Sequence, residues 1–169
     1  MKKHSGMRPQ DIVILLKIAS IEENWLAKEL SVGLKISASE ISESLNRSAI
    51  AGLISMDKKL LMKKALLEFI EFGLKYVFPQ KPGAITRGIP TANSAEPLRQ
   101  LLHTEEIFVW PYSKGELRGQ TIEPLYSTVP EISFNDNILY ELLALTDAIR
   151  IGKVREQKIA INEIRKRIG

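Results

Sequence analysis

The chain contains no cysteine and almost no histidine. Without cysteine among its 169 residues, disulfides, thiolate zinc sites and cysteine nucleophiles are excluded. The two histidines, His4 and His103, are too few for a histidine-rich metal site. We therefore expect neither a metal nor another cofactor. The lack of cysteine also fits a reducing compartment.

Long hydrophobic runs are missing as well. The start, MKKHSGMRPQDIVILLKIAS, has two lysines before an apolar run, as a secretory signal does. That run extends only from Ile12 to Leu16 before Lys17 ends it, which is too short for a signal core. No other segment approaches the roughly 18 apolar residues that span a bilayer. The sequence predicts a cytoplasmic protein that uses no membrane.

Enzymatic signatures are absent too. There is no Walker or dinucleotide fingerprint, neither histidine lies in a catalytic motif, and the carboxylates show no paired pattern. We expect no enzyme. The irregular stretch from 80 to 97 carries polar residues that could hold an anion or a partner, and its alternative interpretation is a polar loop packed on the rest of the protein. These candidates are Thr86, Arg87, Thr91, Asn93 and Ser94.

Basic residues exceed acidic ones by a small margin. The chain has 24 lysines and arginines against 20 aspartates and glutamates, a net charge of +4, and 44% hydrophobic residues. This is a globular composition that suits a nucleic-acid partner without requiring one. The segment from Arg150 to Gly169 carries more positive charge than the whole chain's net. Its charges alternate with isoleucines, so it could clamp DNA or be the solvated face of a packed helix.

The first part of the chain predicts two helices. Helix one begins near Pro9, whose ring suits the first turn, and places its apolar residues at helical spacing. Helix two covers WLAKELSVGL, with Asn24 as its cap and Gly33 as the left-handed residue at its exit. The residues of helix two expected to face inward are Leu26, Ala27 and Leu30.

A third helix has a clear beginning and end. Ser37 is an N-cap and Glu40, three residues later, completes a capping box. Gly52 ends the helix. The buried stripe consists of Ile41, Leu45 and Ala49.

Two short apolar runs come next, LISM and LLM, joined by Asp57, Lys58 and Lys59. They predict a small two-stranded wing, although LLM could equally be the first turn of the next helix. That next helix runs from Lys63 to Phe78 and is stopped by Pro79. Its inward face is expected to hold Leu66, Leu67, Ile70, Leu74 and Val77.

The second half of the chain predicts a mixed architecture. A short helix around Leu98–His103 precedes a hairpin in which IFVWP and ELRGQTI flank the turn. Asn135 or Asn137 caps a helix that runs to Gly152, and a basic amphipathic helix comes after it. Inward positions of these last two helices are Ile138, Leu142, Leu145, Ile149, Val154, Ile161, Ile164 and Ile168. The predicted class is mainly α, formally α+β.

The order of elements resembles the winged helix-turn-helix regulators of the MarR and ArsR type. The resemblance covers about the first 78 residues and rests on SASEISESLNRSAIAGLI. The chain departs from the pattern at Ser48, where a large apolar residue is usual, and in its short wing. The stretch LLEFIEFGLKYVFPQKPGAITRGIPTANSAEPL is also similar to uncharacterised bacterial winged-helix proteins. The positions that match the pattern are Ser37, Ile41, Ser42, Leu45, Arg47, Gly52 and Leu53.

This resemblance implies a DNA-binding regulator. Residues 8–78 would form the DNA-reading unit and 79–169 a region for dimerisation or partner binding. The helix at 38–52 would enter the major groove of double-stranded DNA, and a homodimer would act as a repressor. The alternative is a protein-interaction module or antitoxin-like adapter whose winged helix is partly or wholly structural.

Individual residues can be given roles in DNA binding. Arg47 could pair with guanine or contact phosphate, and the wing lysines would contact phosphates, with Lys63 or Lys64 as further candidates. Glu40 is explained by capping alone, whereas Glu43 would repel phosphate if it faces the groove. The predicted DNA-binding residues are Lys35, Ser37, Ser39, Glu40, Ser42, Glu43, Asn46, Arg47, Lys58 and Lys59.

Overall fold

The computed structural model of the chain describes residues 6–21 and 24–169. Met1 to Ser5, with the lysines of the signal-like start, and Glu22 and Glu23 lie outside these ranges. Within them no helix has the length and apolar character needed to cross a lipid bilayer. The helices are α1 (Pro9–Ser20), α2 (Ala27–Leu34), α3 (Ala38–Ile50), α4 (Lys63–Glu68), α5 (Leu74–Val77), α6 (Leu98–Leu101), α7 (Val129–Ile132), α8 (Asn137–Ile151) and α9 (Val154–Ile168), and the strands are β1 (Ile85–Pro90), β2 (Phe108–Pro111) and β3 (Leu117–Thr121).

The predicted helix two ends at the observed residue, Leu34, but its predicted start and its predicted left-handed exit residue are wrong. α2 begins at Ala27 with Leu26 as its N-cap residue, and not with Asn24. Leu26 and Ala27 are exposed, so Leu30 is the only one of the three expected inward residues that is buried. Because Leu34 packs in the core, the helix continues past Gly33, and Lys35 takes the left-handed conformation with φ 53°.

α3 agrees closely with the prediction. The Ser37 hydroxyl accepts a hydrogen bond from the Glu40 amide at 3.3 Å, as an N-cap should. The predicted stripe of Ile41, Leu45 and Ala49 is buried. The helix ends at Ile50, two positions before Gly52, which has φ 79° and turns the chain towards the wing.

The wing is a minimal pair of strands. One antiparallel bridge joins Ile54 to Leu61, and the Ser55 amide donates to the Leu60 carbonyl at 2.8 Å. Lys58 makes the tip with φ 61°. Since Leu61 belongs to this bridge and α4 begins only at Lys63, LLM is not the first turn of the next helix.

The predicted long helix is interrupted by a π turn. α4 and α5 are joined without a break by the π-helical turn Phe69–Gly73. Leu66, Ile70 and Leu74 are buried as predicted, but Val77 is 51% exposed. A π turn inserts residues into the helical repeat and rotates the next turn of helix, so Val77 leaves the inward face that a regular 3.6 period would give it.

The second half contains a closed three-stranded barrel in place of the predicted hairpin. β1 lies within the segment predicted to be an irregular loop and pairs antiparallel with both β2 and β3. β2 and β3 pair parallel to each other, so they cannot form a hairpin. Gly88 of β1 pairs with both Pro111 and Leu117. A Cβ at Gly88 would lie 1.9 Å from the Trp110 carbonyl oxygen, so only glycine fits this junction.

The C-terminal helices complete the core. Asp136 caps α8, accepting from the Leu139 amide at 3.0 Å, and neither Asn135 nor Asn137 does so. Predicted inward positions are buried except Ile138, which is 56% exposed, and Val154, which is 67% exposed. Ile138 and Val154 lie in the first turns of α8 and α9, where the described part of the chain leaves most of each side chain uncovered.

The two predicted regions, 8–78 and 79–169, share one hydrophobic core. α8 and α9 both contact α1, and α9 also contacts α4. The buried residues form one continuous cluster that includes Leu15 and Leu45 from the first region and Leu142 and Ile164 from the second.

Candidate nucleic-acid interface

The outward face of α3 is polar and uncrowded. Ser39, Ser42, Glu43 and Asn46 are exposed, and Glu40 is half-buried. The short hydroxyl and amide groups are of the kind that bond to phosphate oxygens and base edges. The structure therefore places most of the predicted contact residues of this helix on one accessible surface.

Arg47 is an exception, and its predicted role as a base-reading residue is wrong. The side chain is buried, 6% exposed, and its Nε and Nη2 donate to the Asp11 carboxylate at 3.0 and 2.8 Å. Asp11 also accepts from the Arg8 amide at 2.8 Å. The hydrogen bonds to Asp11 raise the pKa of Arg47. The guanidinium thus fastens α3 to α1 and cannot reach a base.

Glu43 is less of an obstacle to DNA than its sequence position indicates. Its carboxylate lies 4.0 Å from the Arg47 guanidinium while its side chain remains 63% exposed. A neighbouring positive charge offsets part of its repulsion towards phosphate. Glu43 therefore stays at the surface with part of its negative charge offset by Arg47.

Lys35 has a structural partner. Its ammonium forms an ion pair with Glu131 of α7. Both side chains are about half exposed. The residue therefore links α2 to α7, and only part of its charge is free to act on a ligand.

The wing tip carries two lysines on a defined turn. The Asp57 carboxylate accepts from the Ser55 hydroxyl and from the Lys59 amide, which is 3.1 Å away. These hydrogen bonds lower the pKa of Asp57, and the bond from Ser55 has the larger effect. Asp57 thereby fixes the turn on which Lys58 is half-buried and Lys59 exposed.

Two further lysines open α4 next to the wing. Lys63 and Lys64 are the first two residues of the helix, both are exposed, and the first turn contains no acid. The amino-terminal end of a helix carries a partial positive charge, which disfavours cations there. An anion bound from outside the chain would offset this unfavourable interaction between the lysines and the helix end.

The ion pairs leave these wing-side lysines unneutralised. Among the described residues, no carboxylate lies within 4.0 Å of the ammonium of Lys58, Lys59, Lys63 or Lys64. In the basic C-terminal segment, by contrast, four cations have acidic partners: Arg150, Arg165, Lys166 and Arg167. Of the seven lysines and arginines up to position 78 that have no such partner in the described part of the chain, four lie between positions 58 and 64.

Apolar side chains share the wing surface with the lysines. Met56 is 75% exposed, Leu60 65% and Ile50 60%. Such residues can wedge between base steps in a minor groove or can bury themselves against a protein. The surface is therefore both basic and apolar.

The structure does not bring the five residues of the predicted ligand loop together into one site. Thr91 is buried and donates to the Asp147 carboxylate at 2.7 Å, and Ser94 accepts from the Phe108 amide at 2.9 Å. Asn93 is buried and donates to the Thr104 hydroxyl at 3.1 Å. Thr86 and Arg87 lie on β1. The five residues do not converge, because the segment from 85 to 94 is a strand and a tight turn that pack on α8.

Asp147 organises the polar core that this segment joins. It accepts from Thr91, from the Trp110 indole at 2.7 Å and from Arg150 at 3.0 Å. Complete burial raises the pKa of Asp147, against the opposing effect of Arg150 and the two neutral donors. No local pattern marks this network, because Asp147 lies 56 positions from Thr91 and 37 from Trp110 along the chain.

No protein-family model, curated protein or solved structure matches the chain significantly. Functional inference therefore rests on the chemistry of the α3 and wing surface.

Proposed function

We propose that the chain binds double-stranded DNA as a winged-helix regulator of the MarR and ArsR type. The observation that carries this proposal is the group of four unneutralised lysines, Lys58, Lys59, Lys63 and Lys64, two of which stand at a helix start that disfavours cations. A phosphate backbone supplies anions at regular spacing and would stabilise all four.

α3 contributes selectivity to this binding. Ser39, Ser42 and Asn46 offer hydrogen bonds to base edges and phosphates in the major groove, and Glu43 can accept from the cytosine amino group. Since Arg47 is committed to Asp11, no arginine reads guanine from this helix. The proposed complex depends on lysine contacts for affinity and on short polar groups for preference among sequences.

The proposed protein is a cytoplasmic homodimeric repressor. A twofold dimer would bind a pseudo-palindrome with half-sites about one helical turn apart. Occlusion of a promoter needs no further contact surface, which favours repression over activation.

Fluorescence anisotropy with labelled duplex from the DNA upstream of the chain's own coding sequence tests the proposal. We expect a complex that weakens steeply with salt, and a Lys63→Gln/Lys64→Gln variant whose logarithmic salt slope is smaller by about one per lysine removed. Lys81→Gln/Lys114→Gln, which removes two exposed lysines elsewhere, is the matched control and should bind as the wild type does. The absence of any salt-sensitive complex would refute DNA binding.

A second candidate function is a protein-interaction module or antitoxin-like adapter. The exposed Met56 and Leu60 favour it, because apolar side chains at a wing tip bury readily against another protein. Met56→Ser/Leu60→Ser should then abolish co-purification with a neighbouring gene product. The same variant should leave anisotropy with DNA nearly unchanged if lysines alone supply the contacts.

A further inference from the structure

An unpartnered aromatic stripe runs along the helix after the wing. Phe72 is 66% exposed and Tyr76, one turn later, is 73% exposed. Val154, at the start of α9, is 67% exposed and lines the same cavity as Phe72. We call Phe72, Tyr76 and Val154 the Phe72 face. Large exposed apolar side chains that cluster in this way are typical of interaction sites.

A cavity of about 190 Å³ opens beside Phe72. Its apolar lining includes Ile149, Val154 and Ile161, and its polar lining consists of Glu71, Lys75, Gln157 and Lys158. The volume suits an aromatic side chain entering from outside. The Phe72 face therefore presents a projecting ring and a receiving cavity next to each other, which is the requirement for a contact between two identical surfaces.

The charges along the stripe are placed so that two antiparallel copies of it would bring opposite charges together. Glu68, one turn before Phe72, is exposed and has no cation within 4.0 Å among the described residues. Lys75 has no acidic partner in the same part of the chain: its ammonium lies 3.4 Å from the Gln157 amide oxygen and 5.1 Å from the Tyr76 ring centroid. In two antiparallel helices related by an axis at Phe72, Glu68 of one copy lies opposite Tyr76 and beside Lys75 of the other. Each half of the contact then brings Glu68 of one copy close to Lys75 of the other.

We propose that the Phe72 face binds a second copy of this chain, with the twofold axis passing close to Phe72 and the α4 to α5 segments antiparallel. Each Phe72 ring enters the cavity of the other copy, and Glu68 pairs with Lys75 across the axis at two equivalent places. This inference deepens the homodimer of the proposed function by naming its interface.

The arrangement places the two sets of wing lysines at opposite ends of the contact. Lys63 lies nine positions before Phe72, or about 13 Å along a helix at 1.5 Å per residue. The two copies of Lys63 would thus be separated by about 27 Å along the paired helices, with the wings beyond them. This is compatible with neighbouring half-sites about 34 Å apart on one side of a duplex.

The absence of cysteine allows a direct test of the axis. In Glu68→Cys/Tyr76→Cys, which keeps the Phe72 ring, each introduced thiol would lie opposite one of the other copy, so mild oxidation without DNA should convert most of the protein to a disulfide-linked dimer. Val32→Cys, which places a thiol at a position 71% exposed on α2, is the control and should stay largely monomeric on a non-reducing gel. Equal cross-linking of the two variants would overturn the proposal.

Charge exchange tests the register and does not depend on a thiol. Sedimentation analysis should show that Glu68→Lys and Lys75→Glu each shift the dimer towards monomer by at least tenfold in dissociation constant, and that the double variant recovers most of the loss. A double variant no better than the single ones would overturn the register. A wild-type chain that stays monomeric but binds DNA with a salt slope would overturn this interface and leave the DNA proposal standing. A dimer that cross-links through this face but binds no DNA would support the interface and overturn the DNA proposal.

Discussion

At the scale of single residues, Arg47 changes from a DNA contact to a structural element. Its guanidinium and the Asp11 carboxylate are both buried and are joined by three hydrogen bonds of 2.8 to 3.3 Å. A buried charge without its partner is costly, whereas replacing both partners by apolar groups can be nearly neutral. The effect of mutating Arg47 should therefore be on stability.

We expect Arg47→Met to lower the free energy of unfolding by about 3 to 5 kcal/mol, because Asp11 would be left buried and unpaired. The double variant Asp11→Leu/Arg47→Met should recover most of that loss. Urea denaturation followed by circular dichroism measures both. If the double variant also retains DNA affinity, the guanidinium has no role in binding; loss of binding in a fully folded double variant would contradict its structural assignment.

Gly88 is a second residue whose identity is fixed by its surroundings. We expect Gly88→Ala to destabilise the protein by about 1 to 3 kcal/mol or more, because the added carbon would overlap the Trp110 carbonyl and force the barrel apart. Gly83→Ala is the matched control, since its added carbon would meet its nearest neighbour at 3.5 Å. Thermal unfolding of the pair should show a lower midpoint for the first variant alone.

Single residues were predictable from the sequence when their reason was local. Ser37, Ile41 and Leu45 are explained by capping and helical period, and all three behave as predicted. Arg47 does not, because its partner lies 36 positions away and the helical pattern carries no sign of it. Asp136 replaced the two predicted asparagine caps for a similar reason, since it also pairs with Lys17, 119 positions away.

At the scale of elements, the start of α4 is where the proposed DNA binding and the stability of the helix oppose each other. Lys63 and Lys64 are unfavourable at a helix amino terminus but suit an anionic ligand. We expect Lys63→Gln/Lys64→Gln to raise the free energy of unfolding by about 0.3 to 1 kcal/mol while weakening DNA binding. Chemical denaturation at low salt and anisotropy on the same preparation measure the two effects. A variant that loses both stability and binding would contradict the assignment.

The amino terminus of α8 allows a separate test of capping. Asp136 accepts from the Leu139 amide and from the Lys17 ammonium. We expect Asp136→Ala to cost about 1 kcal/mol or more from the lost cap, and Asp136→Asn to cost less because asparagine caps equally well and only the ion pair is lost. Urea unfolding distinguishes them. Equal losses would show that the ion pair, and not the cap, holds this helix end.

Elements were predicted well where the chain pairs with its neighbours in sequence. The helices have nearly the predicted positions because their periodicity is local. The barrel was not predicted, since two strands close in sequence indicate a hairpin, and nothing local shows that Ile85–Pro90 pairs antiparallel with both of them. No local sequence pattern indicates the π turn at Phe69–Gly73 either.

At the scale of the whole molecule, dimerisation and DNA binding should be coupled through geometry. A dimer held by the Phe72 face can occupy two half-sites at once, so the second contact forms at a high effective concentration. Glu68→Lys should therefore reduce affinity for a duplex with two half-sites by at least tenfold and leave affinity for a single half-site almost unchanged. Anisotropy with the two duplexes measures the ratio. An equal loss on both duplexes would show that Glu68 acts on the DNA directly.

The packing of α9 on α1 and α4 has a consequence for how the chain is made. Ile161, Ile164 and Ile168 close a core whose other walls include α8 and also α1 and α4, which leave the ribosome more than 80 residues earlier. Until those isoleucines emerge, the α1 to α4 segment of a nascent chain has an open apolar side, and its native packing cannot be completed. Folding can therefore be completed only at the end of synthesis. A chain interrupted before α9 should be a substrate for chaperones or proteases and should not keep partial activity.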